Sequence, residues 1–93
     1  MEVLQEDNGK KGEFYVEVNG SRDALMTYTW AGEDKIIIDH TEVRDSLRGQ
    51  GVGYKLVEAS VNFMREKGIK AIPLCPFAKA VFTKKTAYSD VLA

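Results

Sequence analysis

Between Arg48 and Tyr54 the chain reads RGQGVGY, with glycine at positions 49, 51 and 53, and there its apolar pattern changes period. Upstream the apolar residues recur every second position, as in strands; downstream they recur near 3.6, as in a helix. Glycine lacks a Cβ, so this joint can turn sharply and bring its N–H groups close to a ligand. If Gln50 or Gly51 opens the helix, several unpaired N–H groups and the positive end of the helix dipole point at one spot. A phosphate or pyrophosphate suits that spot. The same glycines also serve a plain strand-to-helix turn.

The strand pattern first becomes firm at Phe14, where Phe14, Val16 and Val18 alternate with Tyr15 and Glu17. Before it, Val3 and Leu4 can begin a short strand, with a turn ahead of Glu13. Asn19, Gly20 and Ser21 turn the chain. Ala24, Met26, Tyr28 and Trp30 then share one face of a strand, and Leu25, Thr27 and Thr29 the other. After a turn at Gly32, Glu33 and Asp34, Lys35 to Val43 forms a third strand. Its Ile36, Ile37 and Ile38 predict a central strand covered from both sides. These pieces make an antiparallel meander.

In the helix, Gln50 to Lys67, an apolar stripe of Val52, Leu56, Ala59 and Phe63 has Val57 and Met64 beside it, and Gly68 suits the left-handed cap. Ile69 to Leu74 is a short bounded apolar run, hence a strand parallel to the third by a right-handed crossover. Pro76 suits the first turn of a second helix, to about Lys85, with Phe77, Ala80, Val81 and Lys84 at helical spacing. Asp90 to Ala93 is expected to be a tail. The fold class is therefore α/β (α+β), an antiparallel meander, a βαβ unit and a C-terminal helix in a single domain, residues 1–93.

Composition narrows the function. Thirteen basic and fourteen acidic residues give a net charge of −1, which argues against a nucleic-acid backbone as partner. At 44% apolar and 29% charged, the chain suggests neither disorder nor a membrane span. Met1 to Gly12 is polar and unlike a signal peptide, so a cytoplasmic protein is expected. One cysteine excludes an internal disulfide, and with a single histidine no metal-ligand spacing appears.

A dinucleotide-binding loop needs a small residue where Tyr54 stands, and a Walker A loop needs Gly-Lys-Ser/Thr where Gly49 leads to Tyr54 and Lys55. Both fail. Arg48, two residues, Gly51, one residue, Gly53 instead resembles the Arg/Gln-x-x-Gly-x-Gly/Ala signature of the GCN5-related N-acetyltransferases. The resemblance covers roughly residues 13 to 88 and implies a minimal acyl-CoA N-acyltransferase fold. By it, the amides of Gly49, Gln50, Gly51, Val52, Gly53 and Tyr54 hold the pyrophosphate of coenzyme A, and Arg48 takes the motif's Arg/Gln position. Glu42 and Val43 pair with the pantetheine arm as another strand would. Valine at Gly51 or Gly53 is then expected to block the phosphates while sparing the fold.

Two candidates for the chemistry remain. The family's final helix commonly begins with asparagine and carries a tyrosine general acid seven residues later; the matching positions hold Cys75 and Phe82. Tyr88 can replace that acid only if the tail folds back. Cys75, at a strand end and a helix N-terminus, is placed to have a lowered pKa and to be acylated or donate a proton, and is equally suited to being a small buried residue. PLCPF and DHTEV resemble a subgroup of very small acetyltransferase-like proteins with a reactive cysteine at this place. Histidine is the one side-chain type here whose unperturbed pKa lies near neutrality, which makes His40 a candidate base or partner of Cys75. With unbroken alternation it shares a face with Ile36, Ile38 and Glu42, although one bulge would turn it over; a packed or hydrogen-bonded histidine is the plainer alternative. Glu42 is a further possible base, Arg44 a weak phosphate contact, and Trp30 core.

The expected activity is acetyl-CoA-dependent transfer of an acetyl group to an unidentified amine, a small molecule or a protein. The alternative is a coenzyme A or acyl-CoA binding module with little or no catalysis. Neither reading invokes a metal, a membrane or a nucleic acid, and the chain is expected to be a monomer or weak homodimer.

Overall fold

The alternating half of the chain folds into four consecutive antiparallel strands, one more than the meander read from the pattern. The computed structural model describes residues 1–93. Strand β1 (Leu4–Asp7) turns at Asn8 and Gly9 into β2 (Lys11–Val18), followed by β3 (Ser21–Trp30) and β4 (Lys35–Val43). Helix α1 (Val52–Lys67) crosses to β5 (Lys70–Pro73), parallel to β4, and α2 (Pro76–Lys84) follows. The sheet order is β1-β2-β3-β4-β5. A 3-10 turn, Asp45–Leu47, links β4 to the glycine joint.

Alternation decides which side of the sheet is dry. Phe14, Val16, Ala24, Met26, Tyr28, Ile36 and Ile38 point inward and join α1 and α2 in one buried cluster. Their neighbours Tyr15, Leu25, Thr27, Thr29 and Ile37 stay partly exposed, and Ile72 is exposed. Both helices therefore cover a single face. The cover on both sides expected for Ile36 to Ile38 fails at Ile37, because its face carries no helix.

Helix α1 starts at Val52, two residues later than the apolar spacing suggested, with Gly51 as its N-cap. It ends at Gly68, whose φ of 69° is left-handed. Its buried face is Val52, Leu56, Val57, Ser60, Val61 and Met64, with Ala59 and Phe63 at the margin. The stripe is displaced from the expected one because α2 and the C-terminus also pack on this helix. The buried Ser60 hydroxyl is satisfied by donating to Val57 O at 2.6 Å. In α2 the buried residues are Ala78, Val81 and Phe82, whereas Phe77 and Ala80, which share the helical spacing of Val81, are exposed.

Residues 90–93 are not a tail. Thr86–Val91 forms a 3-10 turn, Val91 is buried, and Ala93 N–H donates to Ala71 O at 2.9 Å. Arg65 fixes the segment through Asp90 and the Ala87 carbonyl. No helix is long and apolar enough to cross a membrane.

Candidate functional site

Strands β4 and β5 pair from Lys35 and Lys70 as far as Ile38 and Pro73, and then part. At the fork the N–H groups of Leu74 and Cys75 both donate to Ile38 O, each at 3.1 Å. Pro76 occupies the first turn of α2 and steers β5 away, leaving Cys75 as the extended N-cap. Beyond Ile38, β4 runs on to Val43 with no strand on that side. The opening so made leads directly to the glycine joint.

In that joint Gly49 and Gly51 have φ values of 79° and 69°, which side chains rarely adopt. The amides of Gly49 to Tyr54 donate to no backbone carbonyl and no side chain, while the first hydrogen bond back into the joint is Lys55 N–H to Gly51 O. Six successive donors are free at the positive end of a sixteen-residue helix. An ideal Cβ on Gly51 meets nothing within 4 Å, whereas one on Gly53 lies 2.5 Å from a Phe77 ring carbon. Gly51 thus borders open space, but Gly53 lets α1 approach α2. The expectation that valine at either position spares the fold meets backbone strain at Gly51, whose φ is left-handed, and the Phe77 ring at Gly53.

A depression of about 310 Å³ lies over this joint, lined by Val43, Leu47, Arg48, Gly49, Gly51, Val52, Gly53, Tyr54 and Phe77. It gathers most of the residues named from the sequence for coenzyme A. Gln50 is exposed and outside the lining, its Nε2 donating to Ser46 O at 3.3 Å. Glu42 faces the open side of the sheet. Leu47 and Phe77 were missed; the aromatic after Pro76 is marked in the sequence only by its helical spacing, and nothing in that spacing brings it back to Gly53. Arg48 is exposed and pairs with Asp45 at 3.1 Å, a weak surface contact that a phosphate can replace.

A larger depression, about 690 Å³, sits near the other end of α1 and includes Trp30, Phe63, Asp7, Glu33, Glu66 and Lys67. Three carboxylates against one lysine make it a poor place for phosphates. Trp30 is partly buried there, packed edge-on to Phe63 with its indole N–H on Asp7.

A bulge decides which residues face the opening. Thr27 lies opposite His40 but Tyr28 opposite Ile38, so β4 carries Asp39 as an extra residue. Past it, Thr41 and Val43 oppose the buried Met26 and Ala24 and take the inward positions. His40 and Glu42 turn to the open face with Thr27 and Leu25, and His40 is exposed. His40 and Cys75 are therefore on opposite sides of β4, and the two do not pair. The partner of Cys75 is Thr41, whose Oγ1 accepts from the Sγ–H at 3.3 Å.

Cys75 is only 5% exposed. Burial pushes its thiol pKa up, but the Thr41 hydroxyl and the amides of Ala78, Phe77 and Thr41 outweigh burial and bring it below the ordinary value. The sulfur makes no full capping hydrogen bond; the amides of the first turn of α2 act on it by proximity and direction. Phe82, in the place of the family's acid, is buried and has no hydroxyl. Tyr88 does fold back, but onto Phe82 and Arg65, near the far end of α1. Arg65 is thirteen residues along α1 from Val52, about 20 Å. No group of three or more His, Cys, Asp or Glu side chains is placed to hold a metal.

The profile of the GCN5-related N-acetyl-transferase family matches residues 13–91. Protein NATD1 of Xenopus tropicalis is 35% identical over 74 residues, 78% of this chain and 68% of that protein. The solution structure of a GCN5-like putative N-acetyltransferase from Staphylococcus aureus superposes with a TM-score of 0.77 and 40% identity, over 99% of this chain and 87% of that one. AAC(6')-Iy, in a structure with a coenzyme A bisubstrate analogue, shares the fold at a TM-score of 0.56 and 14% identity, over 87% and 62% of the two chains. The forked parallel strands, the glycine joint at the fork and the match over most of the chain lead to one conclusion: this chain belongs to the GCN5-related N-acetyltransferase family.

Proposed function

We propose that the protein binds acetyl-CoA and transfers its acetyl group to an amine. The observation that carries this reading is the alignment of six unpaired amides with a forked pair of parallel strands that ends at a buried thiol. In this reading the amides of Gly49 to Tyr54 receive the pyrophosphate. Arg48 leaves Asp45 for a phosphate, and the free edge of β4 at Glu42 and Val43 pairs with the pantetheine amides. The thioester is then delivered to the fork.

Acetyl transfer proceeds through Cys75. Its thiolate attacks the thioester carbonyl, the new S–C bond forms as the bond to coenzyme A breaks, and the coenzyme A sulfur leaves with the proton that Cys75 gave up. An acceptor amine then attacks the acetyl-cysteine; a C–N bond forms, the Cys75 S–C bond breaks, and the amine's proton returns to sulfur. Helix-start amides at Cys75 stabilise negative charge at this point. His40, on the open face, serves as base for an acceptor ammonium approaching from that side. The protein acts in this way as a monomer or a weak homodimer joined at the exposed β1 edge.

Intact mass after incubation with acetyl-CoA tests the reading. The parent should gain one acetyl group and lose it on addition of an amine, and Cys75→Ser should gain none. No adduct and no turnover across an amine panel would overturn transfer. Such a result with coenzyme A still bound would favour the second reading, a coenzyme A binding module, for which the missing hydroxyl at Phe82 is the specific support.

A further inference from the structure

The fork holds one side-chain link between its two arms, and it is not made by a residue that the motif names. Thr41 on β4 and Cys75 at the end of β5 face each other at 3.3 Å where the strands have already parted. We propose that Thr41 is the positioning residue for Cys75, its hydroxyl fixing the sulfur at the fork and donating to the thiolate; this rests on the reading of Cys75 as the acetyl-accepting group. A threonine hydroxyl can do both, accepting from the thiol and donating to the thiolate by rotating its proton.

The fold is arranged for this pairing. Without the extra residue at Asp39, the alternation of β4 would turn position 41 to the open face and His40 to the fork. The bulge is held by Thr29, whose hydroxyl donates to Asp39 Oδ2 at 2.7 Å on the open side. It therefore exchanges an ionisable neighbour of the sulfur for a neutral one. No other side chain competes for the role. His40 and Glu42 face away, Lys79 of α2 and Lys55 of α1 are exposed, and Arg48 pairs with Asp45. What reaches the sulfur is the Thr41 hydroxyl and the amides of Thr41, Phe77 and Ala78, all of which favour the thiolate.

The test follows the ¹³Cβ shift of Cys75 with pH, a readout that burial does not block, in the parent, Thr41→Val and Thr41→Ser. Valine matches threonine in shape and removes only the hydroxyl, and unchanged amide spectra elsewhere verify the fold. The titration midpoint should rise by about one pH unit in Thr41→Val, a tenfold loss of thiolate below the midpoint, and return to the parent value in Thr41→Ser. A Thr41→Val midpoint equal to the parent's would overturn the proposal, whether or not Cys75 is acetylated. A raised midpoint in a protein that acquires no acetyl group would sustain the Thr41 contact and remove the transfer reading instead.

Discussion

Gly51 and Gly53 stand two positions apart and meet different demands. Gly51 holds a left-handed backbone beside open space, so Gly51→Ala should cost about 1–2 kcal/mol of stability from backbone strain. Its methyl enters the depression, and acetyl-CoA affinity should fall much further than stability does, as paired calorimetry and thermal melts would register. Gly53→Val drives a side chain into the Phe77 ring. It should destabilise by about 1–3 kcal/mol from overpacking alone, visible in denaturant unfolding before any ligand is added. An unaltered midpoint for Gly53→Val would mean that the exposed Phe77 ring swings aside without cost. The sequence marks both glycines as special but does not separate them, because Phe77 reaches Gly53 only after the crossover to β5 is complete. Cys75 was legible for a similar reason in reverse: its strand end, its proline and its helix start are all local.

At the scale of elements, alternation and helical spacing recovered β2, β3, β4, β5, α1 and α2 to within a few residues. They failed where long-range contacts override a period. The Asp39 bulge has no mark of its own in IIIDHTEV, yet it decides that Thr41, not His40, faces Cys75. Strand β1 was only half legible, since its support is polar. Asp7 accepts from the Tyr28 hydroxyl at 2.6 Å and the Trp30 indole at 2.9 Å, and Gln5 donates to Tyr28 at 2.8 Å. Burial raises the Asp7 pKa, but these bonds and the Gly9 amide outweigh it and hold the carboxyl below its ordinary value. A depressed carboxyl stabilises the fold above its unfolded pKa and loses that contribution as pH falls through the folded one. Strand β1 should therefore loosen below about pH 4, and Trp30, the single tryptophan, should report it by fluorescence. Asp7→Asn should flatten that transition; a variant with the parent's acid profile would place the transition elsewhere. The C-terminus escaped the pattern because a 3-10 turn with one buried valine has no period to detect. Val91→Ala should cost about 2 kcal/mol in urea unfolding, where a free tail would register nothing.

Across the whole molecule, two helices on one face leave the other face of the sheet uncovered, with Tyr15, Leu25, Ile37 and Ile72 partly or fully exposed among polar neighbours. That asymmetry was not foreseen from Ile36 to Ile38, whose three apolar residues read as cover on both sides. It gives the fork two approaches. In the proposed reading the pyrophosphate end of coenzyme A lies at the glycine joint on the helix side, and the acceptor approaches from the open face that carries His40 and Glu42. Amide NMR during titration with coenzyme A tests the first of these residue by residue. The amides of Gly49 to Tyr54 should shift most, followed by those of Thr41 to Val43 and Cys75. Shifts centred on Trp30, Phe63 and Glu66 at the larger depression, or no shifts at all, would contradict it.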